Sequence, residues 1–255
     1  MAVRAEHALR DPLTGPHPIT RADVPALNAL FSSAFTDRYR RDGLVGVRVP
    51  PLNPAIWEYA IAGAGRGAML WRDADGLIAA FNLAHASGRE GWMGPLAVRE
   101  DRQGTGLGKA IVRAGVAHLQ GAGCTTIGLE TMPRTVDNIG FYSAIGFVPG
   151  AITVTLTIDA GPPAAVRGLL SALDTASRDA AVAECAALTA RVLPGSDYTR
   201  EIRLTQELRL GETLLVRRGD EIRVELARQA LGERGADEAA AAVDARDGLE
   251  QLVRG

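Results

Sequence analysis

Between Arg102 and Lys109 the chain reads Arg-Gln-Gly-Thr-Gly-Leu-Gly-Lys, and no other stretch restricts the fold as tightly. The apolar run Trp92 to Val98 before it has the pattern of a strand. After it, Leu107, Ile111, Ala114, Gly115 and Leu119 recur at the spacing of one helix face. The local order is therefore strand, glycine loop, helix. First-turn amides of a helix have no partner inside it, and with the helix dipole they form a site for phosphate. Glycine at 104, 106 and 108 removes the side chains that would hold such an anion away from the backbone. A dinucleotide-binding Gly-x-Gly-x-x-Gly begun at Gly104 needs glycine where Lys109 stands, and a P-loop needs Ser or Thr where Ala110 stands. Taken alone, the loop is equally compatible with a turn that binds nothing.

Net charge is −2, so nothing in the composition attracts nucleic acid or an anionic membrane, and any bound anion must be held by a local site. Lys109 is the only lysine in the chain. No apolar run is long enough to span a bilayer and the N-terminus lacks the apolar core of a signal peptide, which gives a cytoplasmic expectation. Cys124 and Cys185 are far apart, and no His/Cys/Asp/Glu cluster suggests a metal. A length of 255 residues with 47% hydrophobic content allows one or two domains.

Along the chain, residues 1–18 carry Pro12, Gly15, Pro16 and Pro18 without apolar period and read as a flexible leader. A helix starts near Thr20, with Asp23 as a cap, and Val24, Leu27, Ala29, Leu30, Phe31, Ala34 and Phe35 form its buried face. Its end, Thr36 to Arg41, reads as a solvated charged turn. Residues 42–55, rich in glycine and proline, form a long loop of the kind that often binds ligands. A short helix at Ile56 to Ile61 and a hairpin turning at Asp73 to Gly76 follow. Gly94-Pro95 is out of place inside a central strand and marks a bulge or a splayed edge. Thr125 to Thr131 reads as a strand, Asp137 to Ile145 as a short helix and Ala151 to Ile158 as another strand. The fold class is α/β with a mixed sheet.

Two motifs in this order resemble the GNAT acyltransferases. Gln103-Gly104-Thr105-Gly106-Leu107-Gly108 is similar to the family's Gln/Arg-x-x-Gly-x-Gly/Ala signature, and Asn138 to Tyr142 followed by Gly146-Phe147 is similar to its second motif. The resemblance implies a central sheet splayed at its middle and flanked by helices, with acetyl-coenzyme A as acyl donor lying between the Trp92–Val98 and Thr125–Thr131 strands. It implies that Arg102, Gln103, Gly104, Thr105, Gly106, Leu107, Gly108 and Lys109 hold the pyrophosphate, with charge added by Lys109 and Arg102. The backbone of Leu96, Ala97 and Val98 would pair with the pantetheine arm, and Asn138 stands at the family's position near that arm. Asn138 or Asp137 also suits a helix cap.

Acyl transfer from a thioester to an amine needs a neutral amine, a polarised carbonyl and a proton for the departing sulfur. A tyrosine of pKa about 10 keeps its proton at neutral pH and can donate it to a thiolate of pKa about 8.5. Tyr142 stands at the family's tyrosine position; its alternative role is that of a core aromatic. For the base, strand alternation sets Glu130 opposite Ile127 and Leu129 and so toward the cleft, with His85 or ordered water as alternatives.

A domain boundary is expected near residue 160, giving a GNAT acyltransferase domain over 19–160 and a second region over 161–255. In the second, Ser177 to Leu193 reads as an amphipathic helix with Val182, Cys185, Thr189 and Val192 on one side. The stretch 187–200 echoes 29–41, and 212–222 echoes 68–78, as in an incomplete tandem repeat. No second glycine motif or tyrosine motif follows, so this half is not expected to bind coenzyme A. It can wall an acceptor groove, form a homodimer contact or be a remnant. The leading expectation is an N-acetyltransferase acting on a small amine in a direct ternary complex. The alternative is a non-catalytic acyl-coenzyme A-binding regulatory module.

Overall fold

The structure is a computed structural model that describes residues 12–132, 135–150, 168–218 and 221–225. The chain divides into two compact units, residues 1–152 and 153–255.

In the first unit the elements run β1 (Thr14–Pro18), a 3-10 turn (Arg21–Asp23), α1 (Val24–Arg41), α2 (Pro54–Ala64), β2 (Ala68–Arg72), β3 (Ile78–Ser87), β4 (Glu90–Val98), α3 (Leu107–Gly121), β5 (Thr126–Leu129) and α4 (Val136–Ser143). The five strands form one sheet in sequence order, antiparallel from β1 to β4 and parallel between β4 and β5. A parallel neighbour needs a crossover, and α3 supplies it. Residues 14–18 are not the loose leader expected from their prolines. They form an edge strand, the one place in a sheet where proline's missing donor is tolerated.

Each face of the sheet has its own core. Leu27, Leu30 and Phe31 of α1 and Trp57 and Ala60 of α2 pack on Leu70, Phe81 and Leu83. The apolar spacing that predicts α1 accounts for this face, although Ala29 is exposed. On the other face Leu107, Ile111, Val112 and Leu119 of α3 cover Met69, Ala80, Ala84 and Met93. The hairpin turns as expected, with the Asp73 amide donating to the Leu77 carbonyl at 3.0 Å and the Gly76 amide donating to the Asp73 carbonyl at 3.0 Å.

The irregularity expected at Gly94-Pro95 is present. Pairing of β3 with β4 runs Asn82↔Leu96 and then Ala84↔Met93, so the register slips across these two residues. Pairing of β4 with β5 covers Glu90↔Thr126 to Met93↔Leu129 and stops there. From the bend onward β4 continues to Val98 with β3 as its one strand partner among the described residues, and the sheet opens at its middle. Strand β5 is accordingly shorter than Thr125 to Thr131. The strand expected at 151–158 lies outside the described residues.

In the second unit the described elements are a 3-10 turn (Leu170–Ala172), α5 (Thr175–Val192), α6 (Thr199–Glu207), β6 (Leu214–Arg218) and β7 (Glu221–Glu225), the last two an antiparallel hairpin. Leu170, Ala181, Val182, Cys185, Ile202 and Leu215 form its core. Val192, expected on the apolar side of α5, is 57% exposed. Turn, helix, helix and hairpin follow one another as they do at the start of the first unit, and α1 and α5 each contain 18 residues. Leu169 also bridges to Leu214 ahead of the turn, in the antiparallel sense of β1 with β2.

Gly115 is the close-approach point of α3 on the sheet. A Cβ there would stand 2.5 Å from both Asn82 Nδ2 and Met93 Sδ, directly over the register slip. Gly115→Leu is therefore expected to lower stability by about 2–3 kcal/mol through overpacking, read as a lower urea midpoint with an unchanged m-value.

Candidate functional site

The loop 103–106 and the first turn of α3 follow the open end of β4 after one 3-10 turn, Glu100–Arg102. Gly104 has φ +77° and Gly106 has φ +89°, a left-handed region that disfavours side chains, and a Cβ at either would meet nothing within 4 Å. The space above both is open. Gly106 is the residue that caps α3, its carbonyl accepting the first helical bond from the Ala110 amide at 3.2 Å. By helix geometry the amides of Leu107, Gly108 and Lys109 then point out of the N-terminus. These residues form a cradle that side chains would fill, which suits a pyrophosphate.

The other loop residues divide by what they touch. Leu107 is buried in the core, so it can offer only its backbone. Gly108 does not serve the cradle in the way Gly104 and Gly106 do. A Cβ on it would stand 3.4 Å from Phe141 Cζ and 3.9 Å from Val98 Cγ2, ordinary contacts that place Gly108 where α4, α3 and the end of β4 meet. Thr105 Oγ1 donates to the Arg102 carbonyl at 2.7 Å and closes the loop. Gln103 Nε2 donates to the Val98 carbonyl at 3.0 Å, and its Oε1 accepts from Arg41 at 3.1 Å. Lys109 is exposed at the first turn.

Arg102 does not point its charge at the loop as the sequence suggested. The residue is 6% exposed, and its guanidinium lies 3.9 Å from Asp73 and 3.5 Å from Asp101. Arg99 completes the cluster, donating to Asp73 at 2.6 Å. Burial pushes the Asp73 carboxyl up, but the hydrogen bonds from Arg99 and from the Leu77 amide outweigh it and hold the group below the usual carboxylate range. The cluster ties the β2–β3 turn to the glycine loop and fixes where the loop begins.

Leu96, Ala97 and Val98 lie on the length of β4 that β5 does not reach. Ala97 is buried and the other two are half-buried. Asn138, in the first turn of α4, donates through Nδ2 to Thr131 Oγ1 at 3.1 Å and so fastens α4 to the chain leaving β5. Tyr142 follows one turn later, its ring 5.0 Å from Phe141 and 6.0 Å from Phe147. Among the described residues its hydroxyl makes no hydrogen bond. Burial pushes the phenol up to about 12, so it is a proton-bearing donor throughout the neutral range. Glu130 is exposed and lies one residue beyond β5, so alternation along a strand no longer fixes its direction. His85, on β3, contacts the Gly94 carbonyl at 3.2 Å, at the bend itself. Among the described residues no group of three or more His, Cys, Asp or Glu is placed to hold a metal, and no helix is long and apolar enough to cross a membrane.

Residues 24–147, just under half of the chain, match the acetyltransferase (GNAT) family. The matched residues lie within the first unit. The curated relative serotonin N-acetyltransferase 2, chloroplastic, of Oryza sativa subsp. japonica is 33% identical over 138 residues, which are 52% of this chain and 61% of that protein. The chain thus spans about six-tenths of the length of that relative. Similar solved structures include a tetramutant of the BH1408 protein of Bacillus halodurans, at 19% identity and TM-score 0.48 over 57% of this chain and 100% of that one. Another is glucosamine-6-phosphate N-acetyltransferase of Arabidopsis thaliana, at 17% identity and TM-score 0.41 over 58% and 99%.

The first unit also contains loop-fixing residues that periodicity alone did not single out. Asn28, Ser32 and Thr36 of α1 stand at i, i+4 and i+8 on one helix face, which is a readable signal. Asn28 exchanges two 2.8 Å bonds with the Leu52 backbone, Ser32 Oγ donates to the Val49 carbonyl at 2.5 Å, and Thr36 Oγ1 accepts from the Val49 amide at 2.9 Å. The far half of the 42–53 loop is stitched down by this stripe. Between its ends the loop carries Val45, 82% exposed, and Val47.

The raised Tyr142 pKa has a stability consequence with a definite sign. Below pH about 10 both folded and unfolded chains hold the phenolic proton. Above it the unfolded chain loses its proton first, and the folded state loses about 1 kcal/mol by pH 11 and up to about 3 kcal/mol above pH 12. Tyr142→Phe should remove this share of the alkaline loss, measured as the difference in urea midpoint between pH 9 and pH 11. An equal loss in both proteins would place the phenol in water.

Proposed function

We propose that the chain is an N-acetyltransferase that moves an acetyl group from acetyl-coenzyme A to the amine of a small acceptor in a ternary complex. The observation that carries this reading is the alignment of two features. The β4–β5 ladder ends at Met93↔Leu129, and the backbone left open beyond it leads through one 3-10 turn to the bare glycines at the head of α3. One groove can then take an extended polar arm along Leu96 to Val98 by strand addition and a pyrophosphate at Gly104 to Lys109. The GNAT family match and a relative named as an N-acetyltransferase support the same reading. That relative's name also makes an amine on an aromatic body a sensible first acceptor to assay.

In this reading the amine nitrogen attacks the thioester carbonyl, the carbon–sulfur bond breaks, and the proton lost by nitrogen balances the one gained by sulfur. Tyr142 donates a hydrogen bond to the departing sulfur. A phenol held near 12 gives up its proton to a thiolate of pKa about 8.5 only at a cost, so the donor bond matters more than outright transfer. The net proton then comes from the acceptor nitrogen, by way of Glu130, His85 or water. Asn138 and the 96–98 backbone orient the donor. In this proposal the GNAT acyltransferase domain, expected over 19–160, takes in β1 and ends with the first unit near residue 152, and the rest of the chain is an incomplete repeat of its opening elements, available as a homodimer contact. The compartment proposed is the cytoplasm.

Two variants test the reading. Gly106→Val forces a side chain into the cradle at φ +89° and should weaken coenzyme A binding by more than about 100-fold, several amide contacts being lost together. Tyr142→Phe should lower kcat about 10- to 100-fold with coenzyme A affinity unchanged. Isothermal titration and the release of free thiol with an amine panel measure both. Wild-type affinity in Gly106→Val would refute the cradle, and tight binding without turnover on any amine would favour a non-catalytic acyl-coenzyme A-binding module.

A further inference from the structure

Helix α4 holds Tyr142, yet it has little of its own to hold it in place. It contains 8 residues, none of them fully buried. A helix this short is marginal without tertiary support. Phe141 and Tyr142 pack only at the margin of the core beneath α3. The remaining described attachments are polar, and the best protected of them comes from the far side of the sequence.

Thr135 precedes α4 at its N-cap position, where a threonine hydroxyl ordinarily accepts from the amides of the first turn. Here no such bond forms. Instead Thr135 Oγ1 donates to Asp42 Oδ2 at 2.6 Å, across 93 residues of sequence. Both ends are shielded, with Thr135 1% exposed and the Asp42 side chain 4% exposed. The other oxygen of Asp42 takes Arg38 Nη2 from the last turn of α1, and Arg38 Nη1 reaches on to Asp137 at 3.3 Å. Thus two residues flanking Val136 are fastened to the end of α1, one through a buried carboxylate and one through an exposed ion pair. The exposed pair contributes little in water. The buried bond, charge-assisted and short, is the strong one.

We propose that Asp42 and Thr135 form a positioning clamp that holds α4, and through it Tyr142, at the open end of β4. Asp42 is also the first residue of the 42–53 loop, so the clamp joins that loop to the tyrosine helix by one bond. Neither residue touches the reacting atoms, and their effect passes through Tyr142. The proposal rests on the acyltransferase reading for its catalytic consequence, but not for the clamp itself.

The test uses the full chain with Thr135→Val, which keeps the shape and removes the hydroxyl, and with Thr135→Ser, which keeps the hydroxyl. Amide hydrogen exchange over 136–143 should quicken about tenfold in Thr135→Val, with 107–121 unchanged, and return in Thr135→Ser. With an amine acceptor, kcat should fall about tenfold in Thr135→Val while acyl-coenzyme A affinity holds, and the same change should cost nothing further in a Tyr142→Phe background. Asp42→Asn reads the same bond from the other side should Thr135→Val fail to fold. Unchanged exchange over 136–143 would overturn the clamp, and so would losses that multiply in the double variant. Faster exchange in a protein whose wild type turns over no amine would uphold the clamp and sink the acyltransferase reading instead.

Discussion

The parallel ladder between β4 and β5 lasts from Glu90 to Met93 on one strand and ends where β4 bends at Gly94-Pro95. Backbone donors and acceptors in a sheet are satisfied by neighbours, and a strand that outruns its neighbour presents an edge for something else to pair with. A long exposed edge is a hazard in most proteins. Here it lies inside the fold, with α3 packed on one face, and is reached through the splay. The bulge that slips the β3–β4 register, the bare Gly115 that lets α3 sit over it, and the cradle at Gly104 and Gly106 all belong to this one departure from regular pairing.

The C-terminal end of α1 is the second organising point. Arg41 reaches Gln103 on the glycine loop, Asp42 reaches Thr135 before the tyrosine helix, and Asp37 gathers Arg40 and Arg41 beside them. One helix end therefore fixes the two elements that border the splay, and the same end starts the loop carrying Val45 and Val47. Cations in the last turn suit the helix dipole, which explains why arginine can gather there without strain on the fold. A charged run that reads from sequence as a solvated surface is in this chain a junction of the site.

Much of the first unit was legible because its signals are local. The 3.6 period of Leu27, Leu30 and Phe31, the turn chemistry of Asp73 to Gly76 and the glycines before Leu107 each specify their own element. What escaped reading was set by contacts distant in sequence. The prolines of 14–18 look like loop residues until an edge position beside β2 accepts them. Arg102 looks like a phosphate ligand until Asp73, from another turn, takes it inward. Glu130 seemed fixed by alternation, but alternation ends with β5 at Leu129, and β5 ends because β4 bends. The Asp42–Thr135 bond has no sequence signature at all, since a threonine before a helix ordinarily signals a cap. In the second unit helix, helix and hairpin follow in the order of the opening elements, but the echoed words do not fall on matching elements, since 29–41 lies wholly in α1 while 187–200 runs from α5 through a turn into α6.

The central claim is that one continuous groove runs from the open edge of β4 to the head of α3. Its most direct measurement is amide hydrogen exchange on the wild-type chain with and without coenzyme A, resolved to short peptides. The account predicts simultaneous protection of 96–98 and 104–109, with no change over β1. Protection of one segment without the other, or of neither while coenzyme A is bound, would contradict it.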